Sequence, residues 1–280
     1  MSNASGILYI VATPIGNLSD ISRRAVEVLG DVDLVAAEDT RHTKKLLDAL
    51  NIHVTAMLSL HEHNERERLD RLLALLEEGR RIALVSDAGT PLISDPGFPL
   101  VARCREQGVQ VVPVPGPSAV ITALSVSGLP TDRFLFEGFL PRTASKRQAR
   151  LDHLRDFEST MVFYESSHRI LQTLADMQQL FGAERQAVMA RELTKKFETV
   201  LPGTLAHLVE MVAADPDQQR GEFVVMVAGA EVRPEMVSLE ARRVLDALAD
   251  ELSPNRLAKV AAKLYGGNKR DYYQYLLDRK

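Results

Sequence analysis

Residues 82–118, IALVSDAGTPLISDPGFPLVARCREQGVQVVPVPGPS, carry the fold decision. The stretch opens on an apolar run, Ile82–Val85, and breaks into a loop of small residues and prolines from Ser86 to Gly97. It reads as helix over Pro99–Gln107, returns to an apolar run at Val109–Val114, and bends again at Pro115-Gly116-Pro117-Ser118-Ala119. Strand, loop, helix and strand at this spacing form a βαβ unit, and a crossover of that length joins parallel neighbours. The same rhythm runs upstream. Ile7–Ala12 is a strand that enters the loop Thr13-Pro14-Ile15-Gly16-Asn17-Leu18. A helix capped by Asp20 runs to about Leu29, Leu34–Ala37 is a second strand, and Thr40–Leu50 is helical. Leu69, Leu72, Leu73 and Leu76 fall at i, i+3, i+4 and i+7, which marks an amphipathic helix closed by Gly79. The expectation is a mainly parallel sheet covered by helices.

Downstream the rhythm changes. Leu129-Pro130 and the basic stretch Arg142–Arg150 flank Phe134–Gly138 and lead into a helix near Ala149–Phe157. Met161–Tyr164, Ala187–Ala190, Phe197–Leu201 and Phe223–Val227 read as strands, and Ile170–Leu180 and Leu205–Ala213 as helices. Hairpin-length gaps predict a mixed sheet here. A linker starts at Pro234, and only helix follows. Ala241, Val244, Leu245 and Leu248 form one stripe; Leu257, Val260, Ala261 and Leu264 form another. Ser253-Pro254 starts the second helix, Gly266-Gly267-Asn268 ends it, and Asp271–Leu277 is a third. The expected organisation is an N-terminal α/β domain over 6–118, a second α/β domain over 119–233, and a helix-turn-helix-like module over 234–280.

Composition bounds the function. With 280 residues, 45% hydrophobic and 26% charged, the chain is an ordinary globular one of roughly two domains. No apolar run approaches the ~18 residues of a bilayer span. Residues 1–5 (MSNAS) carry no fold signal, Ser2-Asn3-Ala4 reads as a tag remnant, and no signal peptide is expected. One cysteine, Cys104, permits no intrachain disulfide and no cysteine-based zinc site, which fits a reducing cytoplasm. The net charge is −4, yet Pro254–Lys280 holds seven basic and two acidic side chains. An acidic body with a basic tail implies that the tail meets an anion.

The common nucleotide and hydrolase signatures are missing. There is no G-x-G-x-x-G after the first strand, no P-loop and no G-x-S-x-G elbow. His61-Glu62-His63 has the wrong spacing for a helical zinc pair, so no metal is expected. Three loops remain: residues 13–18, 86–97 and 115–119. Each follows a strand's C-terminal end, the edge at which open α/β sheets bind ligands. Their glycines permit close approach of the backbone, and their prolines hold the loops rigid.

These loops, together with Ala37-Glu38-Asp39-Thr40-Arg41-His42-Thr43, Phe163-Tyr164-Glu165-Ser166 and Ala190-Arg191-Glu192-Leu193-Thr194-Lys195, resemble the ribosomal RNA small subunit methyltransferase I family. That family belongs to the tetrapyrrole-methylase-like class of S-adenosylmethionine enzymes. The resemblance covers about residues 7–230 and continues into the helical module. It departs from tetrapyrrole methylases proper in the first loop, where Pro14-Ile15-Gly16-Asn17 replaces a Gly-Pro-Gly-Asp type. The resemblance implies S-adenosylmethionine in a cleft between the two α/β domains, bordered by Pro14, Gly16, Asp87, Gly89, Thr90, Ser118, Ala119, Tyr164, Ala190 and Arg191. It also implies a homodimer.

The reaction it implies is methyl transfer to the ribose 2′-oxygen of a cytidine in the decoding region of small-subunit (16S) rRNA. Glu38, Asp39, Arg41, His42, Asp95, Arg191, Glu192 and Lys195 are candidate groups, with Asp39, Arg41, Arg191 and Lys195 expected to position RNA and the reacting hydroxyl. The general base is not identified at this level. Lys146, Arg147, Arg150, Lys259, Lys263, Lys269 and Arg270 are the expected phosphate contacts. Tyr272, Tyr273 and Tyr275 offer stacking faces, with at least one expected in the core. The competing readings are a porphyrinoid C-methyltransferase of the same fold, a nucleic-acid-binding regulator without enzymatic activity, and a knotted-fold ribose methyltransferase. The last keeps its cofactor loops near the C-terminal end, whereas here they lie within the first 120 residues.

Overall fold

A computed structural model describes residues 6–61, 64–231 and 237–278. Residues 1–5, Glu62 and His63, the linker start at Pro234, and Arg279 and Lys280 lie outside them. Two compact units divide the chain near residue 230.

The first unit opens with alternating strands and helices: β1 (Ile7–Val11), α1 (Arg23–Asp31), β2 (Leu34–Ala37), α2 (Thr40–Ala49), β3 (Met57–Ser59), α3 (Glu65–Glu77), β4 (Arg81–Val85), α4 (Phe98–Glu106) and β5 (Gln110–Val114). The five strands form one parallel sheet in the order β3-β2-β4-β1-β5. Alternation along β4 explains why it reads as a continuous apolar run: Ile82 and Leu84 pack with Leu72, Leu76 and Leu100 on one face. Ala83 and Val85 pack with Ala25, Leu29 and Leu47 on the other. A strand covered on both faces has no polar side to alternate with.

α5 (Ala119–Ser127) leads into the second half: β6 (Phe134–Phe139), α6 (Ala144–Leu154), β7 (Thr160–Ser166), α7 (Ile170–Phe181), β8 (Gln186–Arg191), β9 (Thr199–Thr204), α8 (Leu205–Ala214) and β10 (Glu222–Val227). The sheet order is β6-β7-β10-β8-β9. Only the β6–β7 pair is parallel, so the sheet is mixed as the spacing predicts. One face packs on α6, α7 and α8 through Leu151, Leu174 and Leu208. The other packs on Val120, Ala123 and Leu124 of α5 and on Ile15 from the loop after β1. Ile15 therefore ties the first sheet's ligand edge to the second sheet.

Several boundaries move. Asp20 ends a short 3-10 turn, and Ser22 caps α1 by accepting the Ala25 N–H at 3.1 Å. The expected strand at Phe197–Leu201 is β9, which starts at Thr199 and carries Pro202 on a sheet edge, where a missing N–H costs no ladder bond. α6 starts at Ala144, five residues before the expected helix. β3, three residues long, and α5 were not anticipated. α5 reads AVITALSVS, without a charged residue to mark a polar stripe.

The second unit holds α9 (Leu239–Leu248), α10 (Pro254–Tyr265) and α11 (Lys269–Asp278). Ala241, Leu245, Leu257, Ala261, Tyr272 and Leu276 form its core. Gly266 and Gly267 take φ of 75° and 76°, a left-handed break open to glycine, and the Tyr272 hydroxyl donates to the Gly266 carbonyl at 2.8 Å. Tyr275 donates to Asp246, and Tyr273 is exposed. No helix among the described residues is long and apolar enough to cross a membrane.

Candidate active site

The C-terminal ends of β1, β4 and β5 deliver the three loops to one place, where hydrogen bonds lace them together. The Thr13 N–H donates to the Gly89 carbonyl at 2.8 Å, and the Gly89 N–H returns to the Thr13 carbonyl at 3.1 Å. The Thr13 hydroxyl donates to the Ser86 carbonyl at 3.2 Å, and the Thr90 hydroxyl to the Pro117 carbonyl at 3.1 Å. The loop after β2 joins them: the Asp39 N–H donates to Asp87 Oδ1 at 3.1 Å. Gly89 takes φ 81°, which lets the backbone turn there without a side chain.

Opposite these loops stands the second sheet. Between them lies a cavity of about 500 Å³. Ile15, Glu38, Asp87, Gly89, Thr90, Ile93, Asp95, Ser118 and Ala119 line it from the first half, and Phe139, Tyr164, Glu165, Ala190, Leu193, Lys195, Glu222 and Val224 from the second. Tyr164 is edge-packed by Phe136, ring centroids 4.9 Å apart, and by Phe139 at 5.5 Å. Burial, and then the Asp95 charge, push the Tyr164 phenol up to about 12. The Asp95 carboxyl is pushed up to about 6 by burial first and by the Glu38 and Asp87 charges after it, against a hydrogen bond with Ser86. Lys195 Nζ donates to Glu192 Oε1 at 2.9 Å and to Glu222 Oε2 at 2.7 Å. Burial disfavours its charge, but these two carboxylates outweigh it and raise its pKa.

The tetrapyrrole (corrin/porphyrin) methylase model matches residues 7–209, and the RsmI C-terminal HTH domain matches residues 235–280. Ribosomal RNA small subunit methyltransferase I of Pseudomonas aeruginosa is 52% identical over 279 residues, with 99% of each chain covered. Its Escherichia coli O157:H7 counterpart is 48% identical over 278 residues, covering 99% of this chain and 97% of that one. The chain belongs to the ribosomal RNA small subunit methyltransferase I family. Solved structures support the fold: cobalt precorrin-4 methyltransferase matches 79% of this chain and 94% of that one at 17% identity and a TM-score of 0.56. Uroporphyrin-III C-methyltransferase of Thermus thermophilus matches 80% and 97% at 18% identity and a TM-score of 0.57.

Within this family member the residues singled out by sequence separate into groups. Asp87, Gly89, Thr90, Ser118, Ala119, Tyr164, Ala190 and Lys195 line the cavity. Pro14 and Gly16 flank Ile15, which is the residue of that loop facing the cavity. Asp39 and Arg41 pair with each other, Nη2 to Oδ2 at 2.8 Å, on the exposed first turn of α2. Arg41 thereby holds the Asp39 carboxyl well below the usual carboxylate range. The Arg191 guanidinium turns away from the cavity lining. It donates to the carbonyls of Arg220 at 2.8 Å and Phe197 at 3.0 Å, and to the Thr199 hydroxyl, so its side chain braces the β8–β9 turn.

The basic residues divide as well. Lys146, Lys259, Lys263, Lys269 and Arg270 are exposed. Arg147 corrects the sequence reading. Only 1% exposed, it binds Asp176 Oδ2 through Nε at 2.6 Å and cannot reach a phosphate. Arg150 is gripped by both oxygens of Glu137, the Nη2–Oε2 distance being 2.7 Å. Phe139, Glu222 and Val224 were missed because they come from β6 and β10, which no local motif connects to the three loops. Ile93 and Ile15 lay inside quoted loops but passed as spacer residues.

Proposed function

We propose that the chain is an S-adenosylmethionine-dependent methyltransferase that methylates the ribose 2′-oxygen of a cytidine in the decoding region of small-subunit (16S) rRNA. The observation that carries the reading is the cavity itself, closed by laced glycine-bearing loops on one side and by the second sheet on the other, in a chain that matches the family end to end. Its volume suits a nucleoside-sized ligand. Ala190, Leu193, Val224 and Ile15 offer apolar walls for an adenine, and the glycine loops offer backbone donors. Glu38, Asp87 and Asp95 give the first-half rim negative charge suited to a cationic sulfonium. When bound, that group supplies a methyl already activated by the sulfonium.

The protein's own work is then alignment and proton removal. Holding acceptor and donor in line replaces a bimolecular encounter, which supplies several kcal/mol of the barrier. Asp87, Gly89, Thr90, Ser118, Ala119, Tyr164 and Ala190 hold the cofactor in this reading, while Lys195, fixed as a cation by Glu192 and Glu222, faces the RNA or the cofactor's carboxylate. Lys146, Lys259, Lys263, Lys269 and Arg270 are placed to meet phosphates. The family resemblance adds a homodimer, tested by sedimentation, and the single cysteine fits a cytoplasmic site of action.

Two measurements test the reading. Calorimetry should show S-adenosylmethionine binding, which a regulator without enzymatic activity would not need. Ribose-methylation mapping of rRNA should show one cytidine modified in cells with this chain and unmodified in cells without it. Methyl transfer to a precorrin-type substrate, with the ribosomal cytidine untouched, would overturn the assignment.

A further inference from the structure

We propose that Asp95 is the general base of this site, the group that takes the proton from the acceptor hydroxyl as it is methylated. The inference deepens the methyltransferase reading and rests on it. Four observations place the role on this carboxyl among the acids of the cleft. First, it lines the cavity on the loop between β4 and α4, together with Asp87, Thr90 and Ile93. Second, six acids nearby are held by backbone N–H groups, hydroxyls or cations, whereas the hydrogen bond of Asp95 is with the Ser86 hydroxyl. Asp87 accepts the Asp39 N–H; Glu165 accepts from Thr173 Oγ1 at 2.7 Å, from the Ser166 N–H at 2.8 Å and from Arg169; Glu192 and Glu222 both hold Lys195. Asp39 is tied to Arg41 and Glu137 to Arg150.

Third, the charged and titratable groups around Asp95 are Glu38 from the end of β2, Asp87 from the end of β4 and Tyr164 from β7. Two are like charges, and the cavity-lining ammonium, Lys195, is engaged by its own two carboxylates. The Ser86 hydrogen bond favours the ionised form, but burial and the like charges of Glu38 and Asp87 outweigh it, so a proton on Asp95 is held more tightly than on an ordinary aspartate, and its carboxylate is a correspondingly stronger base. Fourth, the loop is pinned in an uncommon conformation. Leu92 and Ser94 take φ of 73° and 68°, and Gly97 takes 121°. The Gly97 N–H is fixed by Glu65 Oε1 at 2.8 Å. A Cβ on Gly138 would stand 3.2 Å from Ser94 Oγ, so the end of β6 closes on this loop from the other half. Left-handed conformations at two side-chain-bearing residues persist only where the surroundings over-determine them, and here both lie within the three residues before Asp95.

The step balances without a further reactant. The acceptor oxygen forms its bond to the methyl carbon, the sulfur keeps the pair of the broken S–C bond and leaves as a neutral thioether, and the hydroxyl proton goes to Asp95 and then to solvent.

The test compares wild type with Asp95→Asn and Glu38→Gln. Single-turnover methylation of small ribosomal subunits, followed from pH 5 to 8.5, should rise with pH in the wild type and then level off. Asp95→Asn should be slower by ~10²–10⁴-fold and lose that limb. Glu38→Gln removes a neighbouring like charge and should move the limb to lower pH. In the ligand-free protein, ¹³C-carboxylate resonances should include one that titrates near 6 and disappears in Asp95→Asn. An Asp95→Asn protein that keeps the limb, or a limb unmoved by Glu38→Gln, overturns the assignment while leaving the methyltransferase reading intact. A wild-type protein that binds S-adenosylmethionine but methylates no ribose hydroxyl overturns both.

Discussion

Asp95 and Arg147 are both ionisable side chains taken out of bulk water, and their surroundings treat them in opposite ways. Arg147 has Asp176 against it, and Gln148 Nε2 satisfies the other Asp176 oxygen at 2.9 Å. Removing one partner strands the other, so Arg147→Ala should cost about 3–5 kcal/mol in urea denaturation, while Arg147→Met combined with Asp176→Leu should recover most of it. Asp95 has neighbours of its own sign, and its carboxyl titrates near 6 in the folded state against 3.8 as the ordinary value. A raised carboxyl pKa means stability that is full below pH 4 and lost as pH rises through 6. Asp95→Asn should therefore melt higher than wild type by about 2–6 °C at pH 8, for about 1–2 kcal/mol after solvent screening, with the gap vanishing toward pH 4 in calorimetric scans. Only part of this was legible. The run Lys146-Arg147 gives no sign in linear order of which cation turns inward; the usable signal was Asp176, an acid on the apolar face of ILQTLADMQQLF.

At the scale of elements, the site depends on how closely the loop after β1 approaches the β8–β9 connection. A Cβ on Gly16 would lie 2.4 Å from Lys195 Cγ, 2.9 Å from the Leu193 carbonyl oxygen and 2.9 Å from Thr194 Oγ1. The lysine can swing aside, but the carbonyl is backbone, in a turn where Glu192 and Thr194 already take φ of 50° and 65°. Gly16→Ala should thus push the two halves apart locally and weaken S-adenosylmethionine binding at least about tenfold by calorimetry, while melting within a few degrees of wild type. Gly30 is the control: it lies within α1, and a Cβ there would meet nothing within 4 Å, so Gly30→Ala should leave binding unchanged and add about 0.5–1 kcal/mol of stability. The loops were legible because glycine and proline interrupt apolar strands at one sheet edge. Their opposing wall was not, because Val224 and Glu222 reach the cavity through the antiparallel pairing of β10 with β7 and β8, a register that no local pattern encodes.

For the molecule as a whole, charge is separated along the chain as the chemistry is. The cavity belongs to the unit ending near residue 229, where acidic side chains face it; the helical unit after it has its own core and exposes Lys259, Lys263, Lys269 and Arg270. A cationic nucleoside cofactor and a polyanionic RNA need opposite fields, and one acidic surface cannot supply both. If the helical unit carries the RNA field, each exposed cation that meets a phosphate releases about 0.7–0.9 counterion on binding. Replacing all four by alanine should then flatten the log–log salt dependence of small-subunit binding by roughly 3 units, and at 150 mM salt weaken it by well over tenfold. S-adenosylmethionine binding should stay unchanged, because the cavity lining contains none of the four. Filter binding across a salt series, run beside calorimetry on the same two proteins, reads both quantities. An unchanged slope would move RNA recognition onto the α/β unit, with Lys146 on α6 the first position to vary next.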